Sequence, residues 1–271
     1  MSNVLLTNEG GIAVLTINRP EVRNAIDDAT RVDLIAALDQ VSRDASMRAL
    51  VLTGAGKAFS AGGDIRGMQE RLKAAPGEVA INGWRRQQRT HHFIGALHDL
   101  AKPTIAAVNG AAAGLGCDLA LACDFIVASK EAMLTMSYLQ RGLIPDGGGM
   151  YFLPRRVGLV RAKELIFSGR RVLPDEALSL GMVDRISEPD SLVADAVTWA
   201  RELSQNAGPA LALAKTILNE TFEHSAADIF QMGSQAQGIC YTTSEHQASV
   251  KAFLDKSAKK PAKNPDGEKG A

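Results

Sequence analysis

Apolar positions fall into short runs over the first half of the chain and into longer stripes over the second, and the two patterns predict different elements. Residues 4–7 and 12–18 flank the turn Asn8-Glu9-Gly10-Gly11. The second run is rich in β-branched side chains, so the pair predicts a hairpin. Over residues 27–44, Val32, Ile35, Leu38 and Val41 recur at every third position, which predicts an amphipathic helix capped by Asp27 or Asp28. Residues 49–53 read as a buried strand stopping at Gly54-Ala55-Gly56. Helical spacing returns over 84–100, followed by strands at 103–108, closed by Asn109-Gly110, and at 125–128. Around Pro76-Gly77 the pattern breaks down, and residues 73–83 are expected to form a mobile surface loop.

Beyond residue 150 helical stripes dominate, at 161–167, 174–180 and 191–205, with a last strand expected at 182–186. After Gly208-Pro209 nearly everything reads as helix, ending near Lys256. Strand, turn and helix alternating at short range predict an α/β (α+β) fold whose parallel or mixed sheet is built from β-β-α turns. The expected division is a core at residues 1–205 and a C-terminal helical module at 206–257. The Lys/Pro/Gly-rich segment 258–271 is expected to be disordered.

The formal net charge is zero, so the molecule as a whole offers no attraction for nucleic acid or for an anionic membrane, and neither is expected as a partner. No apolar run approaches the length of a membrane span. The first residues lack the basic and apolar regions of a signal peptide, and a cytoplasmic location is expected. Cys117, Cys123 and Cys240 lack CxxC spacing and read as reduced thiols. Gly56-Lys57 lacks the following Ser/Thr of a P-loop, and Leu119 stands where the third glycine of a dinucleotide fingerprint belongs. His91 and His92 are adjacent on a helix and point in different directions, so no metal site is expected there.

Two loops remain: residues 57–65, containing Ser60-Ala61-Gly62-Gly63-Asp64-Ile65, and residues 109–124, containing Ala113-Gly114-Leu115-Gly116-Cys117-Asp118. Together, in this order, they resemble the enoyl-CoA hydratase/isomerase (crotonase) family, and the likeness extends from Thr16-Ile17-Asn18-Arg19-Pro20 and Asn24-Ala25 to the terminal helix. The resemblance implies a crotonase-like spiral of β-β-α turns, an acyl-CoA thioester substrate, no separate cofactor, and assembly as a homotrimer or a dimer of trimers. It also implies two backbone N–H donors, at Gly63 and Leu115, for the charge that develops on the thioester oxygen. Glycines let a backbone approach closely, and a helix start presents unpaired N–H groups, so both positions suit an oxyanion. By the same likeness CoA would lie against Ala25, Ala61, Gly62, Gly63, Asp64 and Ile65, with Lys256 reaching it from the last helix. Arg23 and Lys57 are either phosphate contacts or solvated charges.

The departures bear on the reaction. A hydratase of this family uses two carboxylates, and these positions map to Asp118 and to Tyr138, an ordinary phenol that is a poor base at neutral pH. Leu143-Ile144-Pro145-Asp146-Gly147-Gly148 resembles instead the subgroup that moves double bonds, which implies Asp146 as proton carrier. Asp146 has a competing role, capping a helix from Gly147, and Asp118 has the same alternative at its own helix. Other fates of the enolate (hydration, C–C cleavage, ring opening, thioester hydrolysis) stay open. So does a noncatalytic acyl-CoA or RNA-binding module.

Overall fold

The structure, a computed structural model, describes residues 2–258 and divides the chain into two compact units at residues 205/206. Residues 259–271, most of the segment expected to be disordered, lie outside the described residues.

In the first unit, the hairpin β1 (Val4–Asn8) and β2 (Ile12–Ile17) leads to helix α1 (Asp28–Arg43) and then to β3 (Ala49–Gly54) and β4 (Ala58–Ser60). Helices α2 (Ile65–Arg71) and α3 (Pro76–His98) follow, then β5 (Thr104–Val108), β6 (Ala111–Ala113) and α4 (Leu115–Leu121). After β7 (Phe125–Ser129) and β8 (Met133–Thr135) come α5 (Gly149–Val157), α6 (Leu159–Ser168), α7 (Pro174–Ser179), β9 (Arg185–Ser187) and α8 (Leu192–Leu203). The strands form two sheets, β1-β2-β3-β5-β7-β9 and β4-β6-β8. Apart from the β1/β2 hairpin, neighbours run parallel. The chain alternates between sheets, one long strand then one short, with helices between: this is the expected fold of β-β-α turns.

The large sheet is buried on both faces, which explains why its central strands read as unbroken apolar runs. In β3, Leu50 and Leu52 face the main core while Ala49 and Val51 face a second cluster made with Leu192, Ala196, Val197 and Ala200 of α8.

Two expectations are corrected. Residues 73–83 contain no long loop, because α3 begins at Pro76. Proline at the first helical position has no N–H to lose, and Gly77 and Gly83 sit in open space where a missing side chain is tolerated. On α1 the buried face runs through Leu34, Ala37, Leu38 and Val41, leaving Val32 63% exposed. A strict three-residue row rotates around a 3.6-residue helix, so it cannot stay on one face. Residues 111–121 divide at Gly114 into β6 and α4.

The second unit contains α9 (Gly208–Asn219), α10 (Ala226–Cys240) and α11 (Ser244–Ala258). Helix α10 starts with a capping box: Ser225 Oγ accepts from Asp228 N at 3.3 Å, and Asp228 Oδ2 accepts from Ser225 N at 3.1 Å. No helix among the described residues is long and apolar enough to cross a membrane.

Candidate active site

The short sheet brings the two loops together. Because β4, β6 and β8 are parallel neighbours, with Ser60 opposite Ala112 and Ala113 opposite Thr135, their C-terminal ends lie on one edge. The segments leaving that edge carry Gly63, Leu115 and Tyr138 respectively. Gly62 marks the closest approach. A methyl group on it would sit 2.5 Å from Ala113 O and 3.1 Å from Leu115 N, and its φ of 89° is also unfavourable for any other residue.

The first loop is sewn to residues 23–26. Asn24, fully buried with φ 57°, donates from Nδ2 to Ala55 O at 2.9 Å and to Ala58 O at 2.6 Å. Ser60 Oγ donates to Asn24 O at 2.8 Å and accepts from Gly62 N at 3.1 Å. Ala61 N donates to Arg23 O, Ile26 N to Gly62 O, and Asp64 N to Ile26 O, at 2.9, 2.7 and 3.1 Å. These bonds occupy the amides of residues 61, 62 and 64. Among the described residues, Gly63 N–H has no acceptor.

The second loop leaves a matching gap. Gly114 N donates to Thr135 O at 3.0 Å, and Cys117 N and Asp118 N turn back to Gly114 O at 2.8 and 3.0 Å. Leu115 N–H and Gly116 N–H, at the start of α4, have no acceptor among the described residues. Unsatisfied amides on two touching loops, Gly63 on one and Leu115 and Gly116 on the other, form an arrangement suited to a developing negative charge.

Asp118 lies within the first turn of α4 and does not cap it; the cap position is Gly114. Its carboxylate is fully buried, and Oδ2 accepts a short hydrogen bond from the Tyr138 hydroxyl, while Oδ1 has no partner. Gly147 and Gly149 wall it in: a methyl group on either would come within 2.5 Å of a carboxylate oxygen. Burial pushes Asp118 up to about 7, against the Tyr138 hydrogen bond and with further repulsion from Asp146. Burial and the adjacent carboxylates push Tyr138 far above its ordinary value, so it stays a protonated donor.

Asp146 does not cap a helix either. Helix α5 begins at Gly149, its cap residue is Gly148, and no side chain bonds to its first turn. Asp146 is half-buried and close enough to interact electrostatically with Asp118 and Tyr138. Burial raises its pKa, opposed by a backbone hydrogen bond and by the nearby guanidiniums of Arg86 and Arg31. His91 Nε2 lies 3.0 Å from the Asp146 carbonyl oxygen. Cys117 is buried beneath and held as a thiol.

Of the residues expected to meet CoA, Ala25 is buried and Ala61 and Ile65 are exposed. Gly63 is half-buried, and Asp64 caps α2 through Arg66 N at 2.8 Å. Arg23 and Lys57 are exposed. Lys256 belongs to α11, but its side chain lies outside the described residues. Arg31 and Arg86 escaped the sequence reading, and His91 was considered there only as a metal ligand. For Arg86 a signal existed: the stripe Phe93, Ile94 and Leu97, extended backwards through Thr90, lands on residue 86.

Residues 7–262 match the enoyl-CoA hydratase/isomerase family profile. A short-chain-enoyl-CoA hydratase of Clostridium acetobutylicum is 35% identical over 94% of this chain and 96% of its own. A 1,2-epoxyphenylacetyl-CoA isomerase of Escherichia coli is 33% identical over 94% of this chain and 97% of its own. The crystal structure of an enoyl-CoA hydratase/isomerase from Cupriavidus metallidurans superposes with a TM-score of 0.87 at 35% identity, covering 94% of each chain. With the β-β-α architecture and the paired loops already in view, this chain belongs to the enoyl-CoA hydratase/isomerase family of enzymes.

Proposed function

We propose that the protein isomerises enoyl-CoA thioesters, moving a β,γ double bond into conjugation with the thioester. Asp146 would remove a proton from the α carbon, and the electron pair would pass onto the thioester oxygen, held by Gly63 N–H and Leu115 N–H. Asp146 would then return the proton to the γ carbon, so that atoms and charge balance without any other reactant. One carboxylate suffices for this cycle, and the contrast between the two aspartates carries the reading. Asp118 is bonded to Tyr138 and enclosed by glycine backbone, while Asp146 is only half-buried. A base needs access, and its raised pKa brings it towards the operating pH.

Water addition is a second reading, favoured by one observation. With Asp118 pushed up to about 7, a protonated Asp118 beside an ionised Asp146 forms an acid and base pair. Incubating the protein with a β,γ-enoyl-CoA and with its α,β isomer, and following conjugation and hydration as separate products, discriminates between the two. Isomerisation predicts rapid conjugation with slow hydration, abolished in Asp146→Ala. Normal turnover by Asp146→Ala would remove the shuttle.

CoA is read as lying along residues 61–65 and Ala25, and a homotrimer or dimer of trimers as the working assembly in the cytoplasm. Leu218, Phe230 and Ile239 of the C-terminal helices are 66%, 74% and 53% exposed, which supports an interface there. Light scattering that returns a monomer mass at working concentration would remove it.

A further inference from the structure

Helix α3 turns Arg86 inward, on the same buried stripe as Thr90, Phe93, Ile94 and Leu97. Arg86 is 9% exposed, and its Nε is enclosed without an acceptor. Among the described residues, no carboxylate lies within ion-pair distance of it. A guanidinium cannot shed its charge, and taking one out of water costs several kcal/mol unless an anion faces it.

Asp146 feels the charge of Arg86 without forming an ion pair with it, and the other acids around it are committed elsewhere. Asp28 pairs with Arg31 and, at 3.5 Å, with Arg89. Asp27 caps α1 through Thr30 N at 2.8 Å and pairs with Arg19 at 3.0 Å. Asp64 caps α2 at 2.8 Å and lies 3.8 Å from Arg19. Arg86 opens, with Ile26, Asp27, Asp28, Arg31 and Asp64, onto a cavity of about 290 Å³. That is the small end of the range for ligand pockets, room for a short acyl chain, and charged side chains share the lining with aliphatic atoms.

The cavity adjoins the proposed oxyanion site. A methyl group on Gly63 would sit 3.4 Å from Arg86 Nη2. A group bound by the guanidinium therefore lies only a few carbons from the thioester. We propose that Arg86 recognises a carboxylate carried on a short acyl chain, so that the substrate class is an acidic acyl-CoA. This rests on the acyl-CoA reading above and names the substrate within it. The planar fork of an arginine matches a carboxylate in two parallel hydrogen bonds, which a lysine cannot reproduce.

The test is calorimetric titration of the full-length protein with unreactive saturated thioesters matched in length: glutaryl-CoA against pentanoyl-CoA, and succinyl-CoA against butyryl-CoA. The wild type should bind the acidic member of at least one pair about tenfold or more tightly, a factor equivalent to ~1.4 kcal/mol. Arg86→Met should erase that preference while leaving pentanoyl-CoA affinity within about threefold, and Arg86→Lys should keep part of it. Equal wild-type affinity within both pairs overturns the inference and leaves the acyl-CoA reading standing. Loss of both members alike in Arg86→Met also overturns it, since Arg86 would then serve the common CoA portion. Binding of no thioester by the wild type sinks the acyl-CoA reading and the inference together. Should Arg86→Met fail to fold by circular dichroism, the wild-type comparison alone decides.

Discussion

The two halves of the site are built from different materials. The half formed by residues 60–64 and 114–118 is backbone: its working groups are amides, held by hydrogen bonds to Arg23, Ile26 and Thr135 and by contact at Gly62. The half formed by α3, residues 138–149 and the Asp118 side chain is side chain: Arg86 and His91 flank Asp146, and burial and neighbouring charges shift Asp118, Tyr138 and Asp146. In the proposed reaction the first half would fix where negative charge forms, and the second would decide which proton moves and which substrate is held.

The sharpest test of that division is to remove a proton carrier without touching the amides. Asp146→Asn should lower kcat for isomerisation by about 10²–10⁴-fold with affinity for CoA thioesters unchanged, measured by steady-state kinetics and titration. The wild-type kcat/KM should rise with pH through a limb above the ordinary aspartate value of 3.8, because the ionised form is the base and burial raises its pKa. The reverse experiment spoils the amides and spares the carboxylates. Gly62→Ala forces a methyl group against Ala113 O and should cost about 10²–10³ in kcat, the loss associated with one misplaced oxyanion donor, while circular dichroism stays native.

Asp118 gives a smaller effect and the opposite sign. Its folded pKa is raised to about 7, so the folded state binds more protons than the unfolded state, and stability is lost as pH climbs from near 4 to 7. Asp118→Asn keeps an acceptor for Tyr138 and removes the buried charge. It should raise stability at pH 8 by on the order of 2–4 kcal/mol, with the difference vanishing near pH 4, read from denaturant curves at both pH values. A stability gain independent of pH would mean that Asp118 is not ionised at pH 8. Smallest is Tyr138→Phe, which strips Asp118 of its hydroxyl donor. It should destabilise the protein by about 1–3 kcal/mol at pH 8 and by less at pH 4.

The same division marks what the sequence made legible. Gly63 and Leu115 were singled out by the family likeness of their glycine-rich loops, which stands out because a backbone that must approach another backbone restricts its residues to very few kinds. The strands that bring them together were missed: β4, β6 and β8 have three residues each, too few for any period to show. The side-chain half was read in part. Asp118, Tyr138 and Asp146 were located by motif, but the capping roles that competed for the two aspartates fell only once Gly114 and Gly148 were seen at the cap positions. Arg86 and Arg31 pass for ordinary surface charges in any composition count, and their burial depends on packing between helices distant in sequence. Likewise the break at Pro76-Gly77 looked like a loop because local propensity opposes a helix there, while α3 is held by its later residues against the core.

Because the proposed charge-stabilising groups belong to the main chain, no replacement but proline deletes them outright; any other substitution can only displace them. Variation at residues 86, 91, 138 and 146 is thus free to retarget the catalyst while its reactive intermediate is inherited intact. An engineer seeking a new product from this scaffold should randomise those four positions and leave 60–64 and 113–116 untouched.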